Sequence, residues 1–415
     1  MNKLPAGWEE KYIEEVFEIR KNYTNARKDL DNNSNISYLH YGDIHKYYQH
    51  KLDCKNISLP KISENKLSKD INKLELVKNG DLIVVDVSED YKGICSSVEV
   101  KNLSYKLVSG LHTLLLRDKG NYFADGYKGY IFYNHNVHKE CCKVATGISV
   151  YGINRKNLKK IKIPIPPLDE QKRIAFALSK IDAYLENTIK LIEEKERFKR
   201  GIAKKLLTCK EGENIPEARF KGFEDEWMEV AISKIGTIIT GNTPSTKNES
   251  FWNGNNVWIT PTDIKQKYIS NSERKLTDDG LKKSRKLPAN TLLITCIASI
   301  GKNAILKCEG ACNQQINAII PNKNYNVDFL YYLFENEKSY LKFKAPQSVI
   351  KIMSKSEFSK LVFKFHLLEE QEKIGGYLSL LDEEIDNLKK QKELIKEMKR
   401  GAMQKLLSGE VRLLE

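Results

Sequence analysis

Three groups of side chains in the second half of the chain are of the types that contact nucleic acid. They are Asn242, Thr243 and Ser245, the basic run Lys282, Lys283, Arg285 and Lys286, and Asn313, Gln314 and Gln315. Ammonium, guanidinium and small hydroxyl groups bind phosphate oxygens, while Arg, Lys, Asn and Gln present donor and acceptor pairs that match base edges. In the first half, Lys46, Tyr47, Tyr48, Gln49, His50 and Lys51 interleave aromatic and basic groups, with Tyr23, Asn25 and Arg27 nearby in sequence. The competing reading of each group is a solvated loop.

Other chemistries fail on spacing. Ser299-Ile300-Gly301-Lys302 lacks the G-x-x-x-x-G-K-[ST] frame, and Asn303 follows the lysine where a magnesium-binding hydroxyl is needed, so Lys302 reads as a surface or phosphate-facing residue. An adenine methyltransferase needs a proline pair followed by an aromatic, yet Pro166-Pro167 precedes Leu168. His135, His138, Cys141 and Cys142 are zinc-ligand types. Adjacent cysteines suit a single tetrahedral site poorly, however, and the second half has no equivalent. The reading is no catalytic residue, no metal and no cofactor in this chain.

The charge agrees with a polyanionic partner. The chain of 415 residues carries a net +14, with 27 Lys+Arg against 20 Asp+Glu over 1–166 (+7), 22 against 16 over 213–366 (+6), 11 against 8 over 167–212 (+3) and 9 against 11 over 367–415 (−2). No apolar run is long enough for a membrane span. The opening MNKLPAGWEEKY lacks the layout of an export signal, so a cytoplasmic setting with eight free cysteines is expected.

The elements that must position these groups are duplicated. The segment from Leu168 to Thr208 recurs from Leu368 to Ser408 without a gap: Glu170-Gln171, Ile174, Leu178-Ser179, Asp182, Lys199-Arg200-Gly201 and Lys205-Leu206-Leu207 each reappear 200 positions later. Each copy reads as a long helix, with a stripe of Ile174, Leu178, Ile181, Leu185 and Ile192 in the first and Ile374, Leu378, Leu381, Ile385, Leu388 and Ile395 in the second. About 40 residues at ~1.5 Å each make a rod of ~60 Å, which needs a long partner; pairing of the two copies supplies it. The globular parts repeat more loosely. Trp8 parallels Trp227, Tyr38-Leu39 through Asp43-Ile44 parallels Trp258-Ile259 through Asp263-Ile264, and residues 79–88 parallel 289–299. GYIFY (129–133) and TLLIT (291–295) have the makeup of buried strands. The expected fold is α+β: mixed domains at 1–166 and 213–366 alternate with spacer helices at 167–212 and 367–415.

Several passages carry a resemblance over essentially the whole chain: TGNTPSTKNESFW (240–252), VWITPTDI (257–264), LTDDGLKKS (276–284), ASIGKNAI (298–305), NQQINAIIP (313–321), VDFLYYLF (327–334), PIPPLDEQKRI (164–174) with HLLEEQEKI (366–374), and KRGAMQKLLSGEVR (399–412). In this order they resemble the specificity subunits of type I restriction-modification systems. The resemblance implies two target-recognition domains, each reading one block of a bipartite site in double-stranded DNA. It also implies that the rods pair as an antiparallel coiled coil with pseudo-twofold symmetry, setting the unread gap and docking methyltransferase subunits through the stripe residues named above. S-adenosylmethionine would then belong to those partners, restriction-translocation subunits would join them, and this chain would be a non-catalytic reader. A specificity subunit for a fused nuclease-methyltransferase, and a coiled-coil scaffold without sequence-specific DNA binding, remain alternatives. The first half departs from the pattern, lacking a clear TPS loop and carrying VDVSEDYKG (85–93) in place of ASIGK.

Overall fold

The structure, a computed structural model, describes residues 4–31, 33–47, 50–55, 57–67, 73–345 and 352–414. Both rods form as uninterrupted helices, Leu168–Leu207 and Leu368–Ser408. None of the helices among the described residues is long and apolar enough to cross a membrane. The chain folds into two compact units whose boundaries fall inside both long helices: residues 1–188 with 391–415, and residues 189–390.

In the first unit a five-stranded sheet has the order Phe17–Arg20, Thr113–Asp118, Leu82–Val85, Ser97–Lys101, His50–Asp53, with the last pair parallel and the others antiparallel. A three-stranded sheet has the order Lys61–Ile62, Ile36–Leu39, Leu107–Ser109, its strands interleaved in sequence with those of the first sheet, and Glu9–Tyr12 pairs with Lys162–Ile165 just before the central helix begins. Alternation along the central strand explains its wholly apolar makeup. Leu82 and Val84 enter the cluster shared with Ile174 and Leu178 of the central helix, while Ile83 and Val85 enter a second cluster with Val98, Val100 and Leu107. A strand buried on both faces has no place for polar residues.

The second unit repeats this topology. Its five-stranded sheet runs Gly236–Thr240, Ile316–Pro321, Thr291–Thr295, Asn303–Leu306, Tyr268–Ile269; its three-stranded sheet is Lys275–Leu276, Trp252–Ile259, Gly310–Cys312; and Met228–Ala231 pairs with Val362–Phe365. TLLIT is the doubly buried central strand, with Leu292 and Ile294 on one face and Leu293 on the other. The expected GYIFY strand is instead part of a 3-10 helix, Lys128–Tyr133. The reason is periodicity of three: Tyr127, Tyr130 and Tyr133 fall on one edge, where Tyr130 and Tyr133 enclose the buried imidazole of His50 at 4.8 and 4.1 Å between ring centroids.

Within each unit the helices pair antiparallel, because rising numbers on one meet falling numbers on the other. In the first unit Glu170 meets Arg412 and Asp182 meets Lys399 at 2.5 Å; in the second, Lys195 meets Glu384 at 2.6 Å and Lys199 meets Asp382. Ile174, Leu178, Ile374 and Leu378 are fully buried in the domain cores, and Ile192, Leu381, Ile385 and Ile395 are also buried. Ile181, Leu185 and Leu388 are half-buried. The stripe thus joins helix to helix and helix to domain.

The repeated polar residues close each unit in the same way. Glu170 accepts from the Trp8 indole at 3.0 Å and from the Arg412 guanidinium at 2.7 and 2.8 Å; Glu370 accepts from Trp227 at 3.1 Å and from Arg219 at 2.8 and 3.0 Å. Burial opposes the charge of Glu170, but the bonds from Arg412 and Trp8 outweigh it and hold the carboxyl below its ordinary range. Gln171 bridges Ala124 N–H and the carbonyls of Tyr122 and Pro166, as Gln371 bridges Asn326 N–H and the carbonyls of Asn324 and His366. Tyr130 donates to Asp182 at 2.7 Å and Tyr332 to Asp382 at 2.5 Å. Gly409 ends the C-terminal helix with φ +72°, and a Cβ there would meet Pro5 at 2.3 Å, so glycine is required both for the turn and for the close approach of the tail.

Candidate nucleic-acid interface

In the second unit the three sequence-separated groups converge. Strand Gly236–Thr240 delivers the loop at 241–247 against the end of strand Gly310–Cys312: Asn242 N–H donates to the Cys312 carbonyl at 2.9 Å, and a Cβ on Gly241 would lie 2.2 Å from the Cys312 and Asn313 carbonyl oxygens. The Asn242 side chain donates to the Lys283 carbonyl at 2.9 Å and accepts from Arg285 N–H at 2.8 Å, so it ties the loop to the basic run. The Arg285 guanidinium donates to the Thr240 carbonyl at 2.6 Å, and Thr243 donates to Gln314 at 2.5 Å. Ser245, Lys282, Lys283, Lys286 and Gln314 are exposed, Gln315 is half-buried and Asn313 is buried, donating to Gln315 at 2.9 Å. Lys282 pairs with Asp279 at 2.9 Å and Lys286 with Glu309 at 2.8 Å. Lys302 is exposed but belongs elsewhere, donating to the Pro261 carbonyl at 3.0 Å.

Two tryptophans of strand Trp252–Ile259 hold the loop from beneath. Trp258 donates to the Asn242 carbonyl and Trp252 to the Ser245 carbonyl, both at 3.1 Å, with the rings edge-to-face at 5.0 Å. The Arg274 guanidinium lies 3.8 Å from the Trp252 ring centroid. The sequence marked Trp258 only as a landmark of the repeat and did not single out Trp252 or Arg274 as site residues, although two tryptophans six positions apart, following a loop of small polar groups, are a readable signal for an aromatic platform.

The first unit contains the counterpart that its sequence conceals. Strand Phe17–Arg20 is followed by a loop in which Tyr23 N–H donates to the Ser109 carbonyl at 2.8 Å, the same link to the end of the third strand that Asn242 makes to Cys312. Tyr38, at the position of Trp258, donates to the carbonyls of Tyr23 at 3.0 Å and Asn25 at 2.8 Å and accepts from Leu111 N–H at 2.7 Å. Burial pushes its phenol up to about 12. Residues 21–27 therefore replace the missing TPS loop. Within it the Tyr23 ring is buried in a cluster with Ile36, Tyr38 and Val108, so its place is packing. Asn25 donates to the Lys66 carbonyl at 3.2 Å, and Arg27, exposed, pairs with Asp43 at 2.8 Å.

Lys46 is exposed on helix Tyr41–Tyr47, which Tyr47 ends, whereas Tyr48 and Gln49 lie outside the described residues. Lys51, on the edge strand, pairs with Glu186 of the central helix at 3.6 Å. Helix His135–Val144 carries all four tempting ligands, with His138 and Cys142 one turn apart on a shared face. Cys141 is buried in the core, Cys142 lies 3.6 Å from His138, and His135 is exposed. Among the described residues no three His, Cys, Asp or Glu side chains gather where they could hold a metal.

The comparisons with known proteins agree with this duplicated arrangement. A family model described as the type I restriction modification DNA specificity domain matches residues 5–194 and again 224–397. A Methanocaldococcus jannaschii chain named as the MjaX type I restriction enzyme specificity subunit is 27% identical over 434 residues, spanning 100% of this chain and 96% of its own length. The Escherichia coli EcoR124I/EcoR124II specificity subunit is 32% identical over 248 residues, 55% of this chain and 57% of its own. Among solved structures, a type I S subunit from M. genitalium superposes with a TM-score of 0.54 at 16% identity over 98% of this chain and 97% of its own. A chain from a study of complex assembly and conformational transition of the type I R-M system gives 0.64 at 16% identity, over 99% and 100%. At such identities the structural likeness speaks for the fold. The chain belongs to the type I restriction-modification DNA specificity family, which the double family match establishes.

Proposed function

We propose that this chain is the DNA-reading subunit of a type I restriction-modification enzyme, each domain recognising one half of a bipartite duplex site. The observation that carries the reading is the recurrence, in two basic domains of unlike sequence, of one loop pinned by an aromatic side chain against the same strand end. A common scaffold with differing loops is what two different half-sites require. In this reading the paired helices set the gap between the half-sites and dock methyltransferase subunits, which bind S-adenosylmethionine and carry out methyl transfer. Restriction-translocation subunits complete the enzyme, which works on cytoplasmic DNA, and the chain itself is non-catalytic. The test is to assay the purified chain with S-adenosylmethionine and DNA, alone and with its cognate methyltransferase subunit, and to map the methylated adenines. Methylation only in the joint reaction, at a two-part motif, is expected; methyl transfer by the chain alone refutes the reading.

A further inference from the structure

The aromatic platform of the second domain carries a side chain whose role the loop residues do not explain. Arg274 is exposed, and its guanidinium stands 3.8 Å from the Trp252 ring centroid and 5.5 Å from that of Trp258. Its backbone is fixed on both sides. Ser272 accepts from Trp258 N–H at 3.0 Å and donates to the Arg274 carbonyl at 2.7 Å, while Glu273 N–H donates to Asp263 at 2.9 Å. The same two indoles fix the carbonyls of Asn242 and Ser245, so Arg274 shares a rigid base with the candidate reading loop.

The hydrogen-bonding state of this guanidinium separates it from the guanidinium of Arg285, while Lys283, like Arg274, has no side-chain partner among the described residues. Arg285 is engaged with the Thr240 carbonyl, Lys282 with Asp279 and Lys286 with Glu309. Arg274 has no ion pair and no side-chain hydrogen bond among the described residues. A guanidinium packed against an aromatic ring by its face keeps its N–H fork in its own plane, directed away from the stack. A planar fork held in one orientation matches the O6 and N7 acceptors of guanine; it can also grip a phosphate, and the salt dependence distinguishes the two.

We propose that Arg274 is a specificity-determining residue of the second domain, reading a guanine edge in the major groove of its half-site from the Trp252 face. This rests on the DNA-reading function proposed above. The test uses the complex assembled with its methyltransferase subunit. Binding is measured on duplexes carrying the methylated motif and on each single base-pair substitution of the half-site read by the second domain, for the native protein, Arg274→Ala and Arg274→Lys. Native binding should be about 5- to 150-fold tighter than binding to a duplex substituted at one particular G·C pair. Both variants should lose that discrimination and keep every other, and Arg274→Lys should keep the native salt dependence. Discrimination retained at every position, with a salt slope lowered by about 0.9 in Arg274→Ala, would make Arg274 a phosphate contact and overturn the proposal. Unchanged binding and discrimination in both variants overturns it too. Absence of any two-part motif for the native complex would instead remove the function on which the proposal rests.

Discussion

Replacing Arg412 by alanine strips the Glu170 carboxylate of its bidentate partner at 2.7 and 2.8 Å, leaving the Trp8 indole as its remaining side-chain donor. The Glu170 side chain is 1% exposed and that of Arg412 21%, so the bond is reachable by water from one side only. Breaking a fully buried ion pair by removing one partner costs about 3–5 kcal/mol, and the access of water to Arg412 keeps the loss here below that range. Replacing both residues, as Glu170→Gln with Arg412→Ala, leaves no stranded charge, so the double variant should lose less than the sum of the single ones, with a coupling of about 1–3 kcal/mol. Urea unfolding of the full chain, followed by circular dichroism and tryptophan fluorescence, measures all three variants. The loss should fall on the unit formed by residues 1–188 and 391–415 and leave the transition of the other unit in place. The pH dependence has a definite sign. Because the folded-state pKa of Glu170 lies below its ordinary value of 4.5, its contribution is fully present above 4.5 and is lost as pH falls through the lower folded value. The difference between native protein and Arg412→Ala should therefore shrink in acid. Additive single losses, or a difference that grows as pH falls, would refute the clamp.

Three further outcomes are expected. His50 is pushed down to about 3, chiefly by burial and secondarily by Lys399, so below 6.5 the unfolded chain takes up a proton that the folded chain refuses. Stability should fall by about 2 kcal/mol between pH 6.5 and 5 from this group alone, and His50→Gln should flatten that slope in urea titrations at the two pH values. Lys283→Ala should lower the salt slope of DNA binding by the assembled complex by about 0.9, and an unchanged slope would place this part of the basic run in solvent. Inserting a matched heptad into both long helices, after Thr188 and after Lys390, adds ~10 Å if transmitted fully, and methylome sequencing should show the gap of the methylated motif growing by about one to three base pairs with both half-sites unchanged.

The duplication, the two rods, their apolar stripes and the basic domains were legible in the sequence because each is local or periodic. A helix repeats every 3.6 residues wherever it lies, and an offset of 200 needs no coordinates to be seen. The identity of Glu170-Gln171, Asp182 and Lys199 with their second copies was equally visible. Its meaning was not, because Glu170 finds Arg412 across 242 positions and Glu370 finds Arg219 across 151. Only the closed chain brings such groups together. Tertiary packing also decided the two places where local patterning failed. GYIFY has the composition of a strand, but enclosing His50 and reaching Asp182 requires its tyrosines three apart on one edge, which a 3-10 helix provides and a period of two does not. Residues 21–27 share no motif with the TPS loop, yet they occupy its place, because that place is defined by the Ser109 carbonyl and the Tyr38 hydroxyl. The side chains of the two candidate loops differ between the units, whereas the backbone links that hold the loops are shared, and those links exist only in the folded chain.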